Sequence, residues 1–324
     1  MLTSLRKRLN GMTLPILSGN NGTKHDATEA TDGDGPSFAD VLVVKAMMGQ
    51  AFHLPLELVD EIVDLAEYWP HTTTCIDYRQ TELTEKRIGS QNQNVMLFRT
   101  PPLGFERPPH ADEASYTTEP LEPAQLQQEY GRDELVHWLG RRAPALEHPC
   151  RKIRFRLISH DQGWGGGGPK KDEPYKASYS WFDVGLERYD AVDVAGTSVL
   201  GSDTPPRHHA LRSVQPAVRP AEDDPVQLTL HHPMLPSSQR LQSNRTAVRT
   251  ATTHDITWSW LDRLADDPAA RDDLERLGRG PDTADGAFVR DLRVGDVVTL
   301  WAKARFPGWA NVVELAQVDV YWAV

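Results

Sequence analysis

The sequence predicts a mainly β protein: an antiparallel, jelly-roll-like β-sandwich with a small N-terminal helical element and loop insertions. Three observations predict it. Segments with period-two alternation crowd the chain after residue 150, and alternation of that kind marks strands with one buried face. Turn residues, with no regular helix between them, separate these segments, which favours antiparallel strands over a parallel α/β sheet. Seven of the nine tryptophans, Trp164, Trp181, Trp258, Trp260, Trp301, Trp309 and Trp322, lie in this strand-rich part, and large aromatics dominate the cores of such sandwiches.

The chain has 324 residues, enough for one large domain and a smaller module. Its net charge of −11 argues against nucleic acid or an anionic membrane as partner, since both call for a basic face. No apolar run is long enough to span a bilayer. Cys75 and Cys150 make neither a disulfide framework nor a zinc site, so a reducing compartment, cytoplasmic or nuclear, is expected. No cofactor and no metal is implied. The basic Arg6-Lys7-Arg8 precedes an apolar patch too broken for a secretory signal, while the lack of acids before Asp26 leaves a mitochondrial presequence open. Residues 1–36 are polar and aperiodic, the composition of a disordered tail.

Order is expected to begin at Ser37-Phe38-Ala39-Asp40, a capping box that opens a helix running through Val41–Met48 to Gly49. A second helix follows in "LPLELVDEIVDLAEYWP". Pro55 suits its first turn and Pro70 stops it. Val59, Ile62, Val63, Ala66 and Trp69 fall on its apolar face, and Glu57, Asp60, Glu61, Asp64 and Glu67 on the wet one. The helical element is set at 37–72 and the sandwich at 73–324. Within the sandwich, Val95–Arg99 reads as a strand, and residues 123–142 as a helical insertion burying Leu135, Val136 and Leu139. "RKIRFRLIS" places Ile153, Phe155 and Leu157 inward, with Lys152, Arg154 and Arg156 outward. Further strands are read in "ASYSWFDVGLER", "HDITWSW", "AFVRDL", "DVVTLWAKA" and "AQVDVYWAV". Residues 190–238 carry seven prolines and little periodicity, a long surface insertion. Residues 262–285 hold one short charged helix before a Gly-Pro stop.

"SHDQGWGGGG", residues 159–168, invites three chemical readings. Gly163-x-Gly165-x-x-Gly168 follows a strand, but a dinucleotide site needs a helix to start there, and Pro169 and Pro174 bracket a turn instead. A P-loop also fails, because Lys170 is followed by Lys171 rather than Ser or Thr. Ser159-His160-Asp161 is no triad by adjacency, since neighbouring strand residues point to opposite faces. The pairs His208-His209 and His231-His232 lack a third ligand at diagnostic spacing and read as solvated loop residues. A rim loop remains, with Asp161, Gln162 and Trp164 facing a ligand or, alternatively, Trp164 folded back as a lid and Asp161 capping a turn. Arg305, Trp309 and Asn311 sit in the turn "RFPGWAN", where an aromatic beside an amide suits a sugar or a peptide side chain.

Leu54-Pro55-Leu56-Glu57-Leu58 followed by Ile62 resembles the opening of an F-box, the helical motif that docks on the adaptor subunit of cullin-type ubiquitin ligases. Carried over, the docking residues are Leu54, Pro55, Leu58, Val59 and Ile62, within 54–69. The match covers about a third of an F-box. The stretches "IRFRLISHDQGWGG", "SYSWFDVGLER", "LQSNRTA" and "RFPGWANVVELAQVDVYWAV" resemble an uncharacterised family of filamentous-fungal proteins with an F-box-like start before a β-rich domain. The layout is similar to that of F-box proteins with a galactose-binding-like jelly roll, although no sugar-contacting residues transfer. Together these imply a non-enzymatic substrate-recognition subunit. A lectin-like module binding carbohydrate or peptide without a ligase role is the alternative, and a hydrolase ranks last because no nucleophile, base and orienting group can be placed together.

Overall fold

The computed structural model describes residues 35–105, 113–139, 144–165, 172–192, 196, 198–201, 206–234, 237–264 and 267–324. The tail expected at 1–36 lies outside them apart from Gly35 and Pro36. The principal strands are β1 (His71–Asp77), β2 (Lys86–Ile88), β3 (Asn94–Arg99), β4 (Cys150–His160), β5 (Ser180–Tyr189) and β6 (Leu211–Gln215). A hairpin of β7 (Ala217–Pro220) and β8 (Leu228–His231) follows, then β9 (Gln242–Ser243), β10 (Thr252–Ser259), β11 (Val297–Ala304) and β12 (Asn311–Trp322).

One sheet runs β1-β12-β4-β10 with β2 also on β12, and the other runs β3-β11-β5-β6 with β9 also on β5. Every pairing is antiparallel. With the short additions β2 and β9 and the separate β7–β8 hairpin set aside, the chain order of one sheet is first-eighth-third-sixth and of the other second-seventh-fourth-fifth. That winding is a jelly roll, two Greek keys facing each other. The fold class read from the sequence is the fold observed.

The core between the sheets follows the alternation. Ile153, Phe155 and Leu157 of β4 meet Phe182 and Val184 of β5, Leu300 and Ala302 of β11, and Val318 and Val320 of β12. Phe155 and Trp258 pack edge to face at 4.9 Å, and Trp322 closes the same cluster. Trp181 and Trp301 are buried too, but on the outer face of the second sheet. That sheet is therefore covered on both sides. Its outer face is also charged: Arg99 pairs with Glu187 at 2.7 Å, and Lys303 with Asp183 at 2.6 Å.

Several elements differ from the sequence reading. Of the helix expected over 123–142, the described residues form only Arg132–Leu139, because Pro123 interrupts the approach and the amides of Gln127 and Gln128 donate to Asp190 instead; residues 140–142 lie outside the described residues. "AFVRDL" is a short helix, Ala287–Asp291, entered through Gly286 at φ +75° and capped by Asp285. The 190–238 segment is more than a surface insertion, since it supplies β6 to the second sheet and the β7–β8 hairpin. Thr-rich β1, placed at the boundary between helices and sandwich, is a sheet member in its own right, pairing with β12 from His71↔Tyr321 to Asp77↔Leu315. The charged helix expected in 262–285 is Pro268–Arg276, with Asp267 as N-cap.

The N-terminal helices are α1 (Phe38–Phe52) and α2 (Leu56–Leu65). Ser37 and Asp40 form the reciprocal capping box, and His53 ends α1 in the left-handed conformation. Val41, Val59 and Val63 are buried together, with Leu54 and Val324 packed against them. Asp64 is drawn in rather than left wet. It accepts from Trp69 Nε1 at 2.7 Å and from Arg151 of β4 at 3.1 Å. Lys45 pairs with Asp60 and also donates to the carbonyl of Val324. The helices thus belong to one compact unit, Asp34–Val324, with the sandwich.

The Arg99–Glu187 pair gives a stability prediction. Arg99 is fully buried and also donates to the carbonyls of Tyr116 and Glu119. Arg99→Met leaves Glu187 buried without its partner, which should cost about 3–5 kcal/mol in urea denaturation.

Candidate functional site

The loops after β4 and before β12 meet at one end of the sandwich. Gln162 joins them: its Oε1 accepts from the amide of Ala310 at 3.2 Å, while its Nε2 donates to the carbonyl of Trp164 at 2.6 Å. Asp161 anchors the same turn to a third segment. Its carboxylate accepts from the amides of Gly163, Ala247 and Val248 at 2.7, 2.6 and 3.0 Å. Burial pushes this carboxyl up, and the three amides pull the other way. Gly163, at φ +81°, brings the backbone so close to Arg249 that a Cβ would lie 2.6 Å from the Arg249 Cβ. Glycine is required there both for conformation and for space. Gly166–Gly168 lie outside the described residues.

Below these loops runs a buried amide chain. Asn244 accepts from Ser159 Oγ at 2.7 Å and donates to Asn311 Oδ1 at 2.9 Å. Asn311 in turn donates to the carbonyls of Trp181 and Lys303. Arg305 is equally engaged. It donates to Gln93 O, Ala304 O and Asn94 Oδ1, and its guanidinium lies 5.2 Å from the Trp181 ring centre. Asp161, Gln162, Arg305 and Asn311 are all buried, so these four build the end of the sandwich from within. Nothing in the loop sequences distinguishes them from ligand-facing groups, because the partners that turn them inward are distant in the chain: 247 and 248 for Asp161, 310 for Gln162, 93 and 94 for Arg305 and 244 for Asn311.

What reaches the surface is aromatic. Trp164 is 62% exposed and lies against the backbone of Gly308, where a Cβ would come within 2.7 Å of its Cη2. It is a wall, not a lid over the core. Phe306 and Trp309 both pack edge-on against Tyr179, with ring centres 4.7 and 5.2 Å away. Trp164, Tyr179, Phe306 and Trp309 form a shelf on a hydrogen-bonded base. Tyr179 and Phe306 had no sequence signal beyond being aromatic. Such a shelf can stack against a sugar ring or an apolar side chain.

The Ser-His-Asp run does not assemble chemistry. Ser159 donates to Asn244, Asp161 is held by backbone amides, and the His160 ring meets the carbonyl of Asp161 at 2.6 Å. No group of three metal-ligating side chains converges among the described residues. His232 is not a solvated loop residue: its ring packs on Trp301 at 4.8 Å. Burial, then the nearby Lys303 and Arg305, depress it to about 3. Burial, then Arg279 and Arg245, hold His254 at about 4. Cys150 is buried, with its thiol pushed up to about 12, so it stays protonated and inert.

Asp161→Ala leaves three amides without an acceptor, and the expected loss is about 2–4 kcal/mol in chemical denaturation, with a red shift of exposed tryptophan emission. The depressed histidines set a pH dependence. Between about 6.5 and about 4 the unfolded chain takes up protons that folded His232 and His254 refuse. Their stabilising contribution is complete above 6.5 and is lost as the pH falls, at a limit of about 1.4 kcal/mol per pH unit for each histidine. Melting temperatures should fall over that window, and His254→Phe should flatten the fall. Comparison of the chain with protein-family models, with curated proteins and with solved structures gives no match.

Proposed function

We propose that this chain is a non-enzymatic binding protein, a substrate-recognition subunit of a cullin-type ubiquitin ligase. In this reading, α2 docks on the adaptor subunit and the aromatic loop end holds the target protein. The observation that carries the reading is the apolar stripe of α2. Leu58, Ile62 and Leu65 recur at helical spacing and are 46, 38 and 73% exposed. Three large aliphatic side chains in one exposed row are what a docked partner would cover. Leu56, and Val43, Met47 and Phe52 of α1, are exposed as well. Of the residues carried over from the F-box resemblance, Leu58, Ile62 and Pro55 are at the surface and Leu54 is half-buried. Val59 is spent inside the helix pair, against Val41 and Val63. No described helix is long and apolar enough to cross a membrane, and the ligase role places the protein in the cytoplasm or nucleus.

A second reading, a carbohydrate- or peptide-binding module without a ligase role, is favoured by the aromatic shelf alone. A hydrolase finds no support in the way Ser159, His160 and Asp161 are bonded.

Co-purification with the adaptor subunit tests the first reading. The wild-type chain should capture the adaptor, and Leu58→Asp with Ile62→Asp should reduce capture at least ten-fold while leaving the melting temperature unchanged. Absence of capture, or capture indifferent to the double change, rejects the ligase role. A glycan array tests the second: binding abolished by Trp309→Ala would support it, and a blank array would remove it.

A further inference from the structure

The aromatic shelf carries polar groups as well as rings, and the ones it leaves open can all donate. The indole N–H groups of Trp164 and Trp309 and the hydroxyl of Tyr179 make no hydrogen bond among the described residues, and none of the three is a buried unpartnered atom. An indole N–H can only donate.

The side-chain acceptors of the same loops are already engaged. Asp161 takes three amides, Gln162 Oε1 takes that of Ala310, and Asn311 Oδ1 takes Asn244. The carbonyls of Trp164 and Phe306 accept from Gln162 and from the amide of Trp309. Glu85 faces His160 at 4.0 Å. A sugar presents hydroxyl donors around its ring and needs open carboxylates or amides beside the aromatic face to receive them. An ordinary peptide presents an N–H at every residue, and one pressed against this shelf would lose water without gaining an acceptor. Proline has no N–H, while its carbonyl still accepts. A run of prolines also holds the polyproline II form before it binds, so little chain entropy is lost on docking, and such segments dock on aromatic-lined surfaces.

The rings have a matching shape. Phe306 and Trp309 stand at 84° and 80° to Tyr179, so each pair makes a notch with two aromatic walls instead of one flat platform. Phe306 also has φ +67°, in the left-handed region that a bulky side chain seldom enters. Core packing does not account for that conformation, because the ring it places is 44% exposed. Strain kept at a surface ring is typical of a ligand clamp.

We infer that the shelf binds a proline-rich segment of a partner protein in the polyproline II conformation. The indole N–H groups of Trp164 and Trp309 and the Tyr179 hydroxyl donate to its carbonyls, and the notches take its rings. The inference rests on the reading that the loop end holds a target, and it names the chemistry of that target. It uses neither α2 nor an adaptor.

A decaproline peptide is the probe. It is titrated into the full chain and followed through the tryptophan indole N–H signals by NMR, with a Gly-Ser peptide of equal length and maltoheptaose as comparators. The Trp164 and Trp309 signals should shift saturably with decaproline and stay in place with the other two. Trp164→Phe and Trp309→Phe keep a ring and remove the N–H, and each should weaken decaproline binding roughly five-fold, the worth of one hydrogen bond. Trp164→Ala, at a position mostly in water, should abolish binding and leave the melting temperature unchanged. Should Trp309→Phe fail to fold, the two Trp164 variants decide. Decaproline bound no better than the Gly-Ser peptide, or equally by the wild type and both Trp164 variants, overturns the inference. If maltoheptaose or the Gly-Ser peptide moves the two signals and decaproline does not, the loop end binds a ligand but the proline assignment is wrong. If none of the three moves them, the target-holding reading loses its support as well.

Discussion

The second sheet is buried on both faces, and most of the molecule answers to that constraint. Its inner face is apolar in the ordinary way. Its outer face carries Glu187, Lys303 and Arg99 alongside Trp181 and Trp301, all buried, with the half-buried Asp183 paired to Lys303. Charges in such a layer persist only when paired and hydrogen-bonded. The cover that excludes water is assembled from outside the jelly roll itself. Tyr116 and the segment after it meet Arg99, His232 lies on Trp301, and Arg240 lies on Trp181. The proline-rich stretch is therefore part of the architecture. Without it, a charged and aromatic sheet face would stand in solvent.

The same constraint separates what sequence reasoning could see from what it could not. Alternation located β4, β5, β10, β11 and β12 because one side of each strand faces the shared core, and period two is the direct imprint of that burial. It could not say that Trp181 and Trp301 lie behind the sheet, since a sheet buried on both faces gives large residues on either parity. Thr72, Thr73 and Thr74 hid β1, because threonine suits turns and strands alike and this strand buries only Thr74 deeply. "AFVRDL" carried alternation over too few residues to distinguish a strand from the single helical turn that Gly286 starts.

The end of the sandwich was legible as a place and not as a set of roles. Both loops were recognisable from glycine, proline and tryptophan in short compass. Which side chains would turn inward was decided by partners that sequence proximity does not reveal: Asp161 by amides at 247 and 248, Asn311 by Asn244. Polar residues in a loop look alike whether they hold the loop or hold a ligand. The signal that could have helped is stoichiometric. Three loops converging at one sheet end need many internal hydrogen bonds, and the nearest amides and carboxylates are recruited first.

Strand β4 connects the two ends that a recognition subunit would use. At its first residues, Arg151 holds Asp64 of α2, and Lys152 reaches Glu67 just beyond it. At its last, Ser159 and Asp161 hold the loops that carry the aromatic shelf. Arg151 and Ser159 lie eight residues apart along the strand, a span of roughly 26 Å at the usual rise per residue. A central strand flanked by β10 and β12 cannot bend or slip without breaking ladders on both sides. A partner seated on α2 and a ligand seated on the shelf would therefore be held at a fixed separation by one strand paired on both sides.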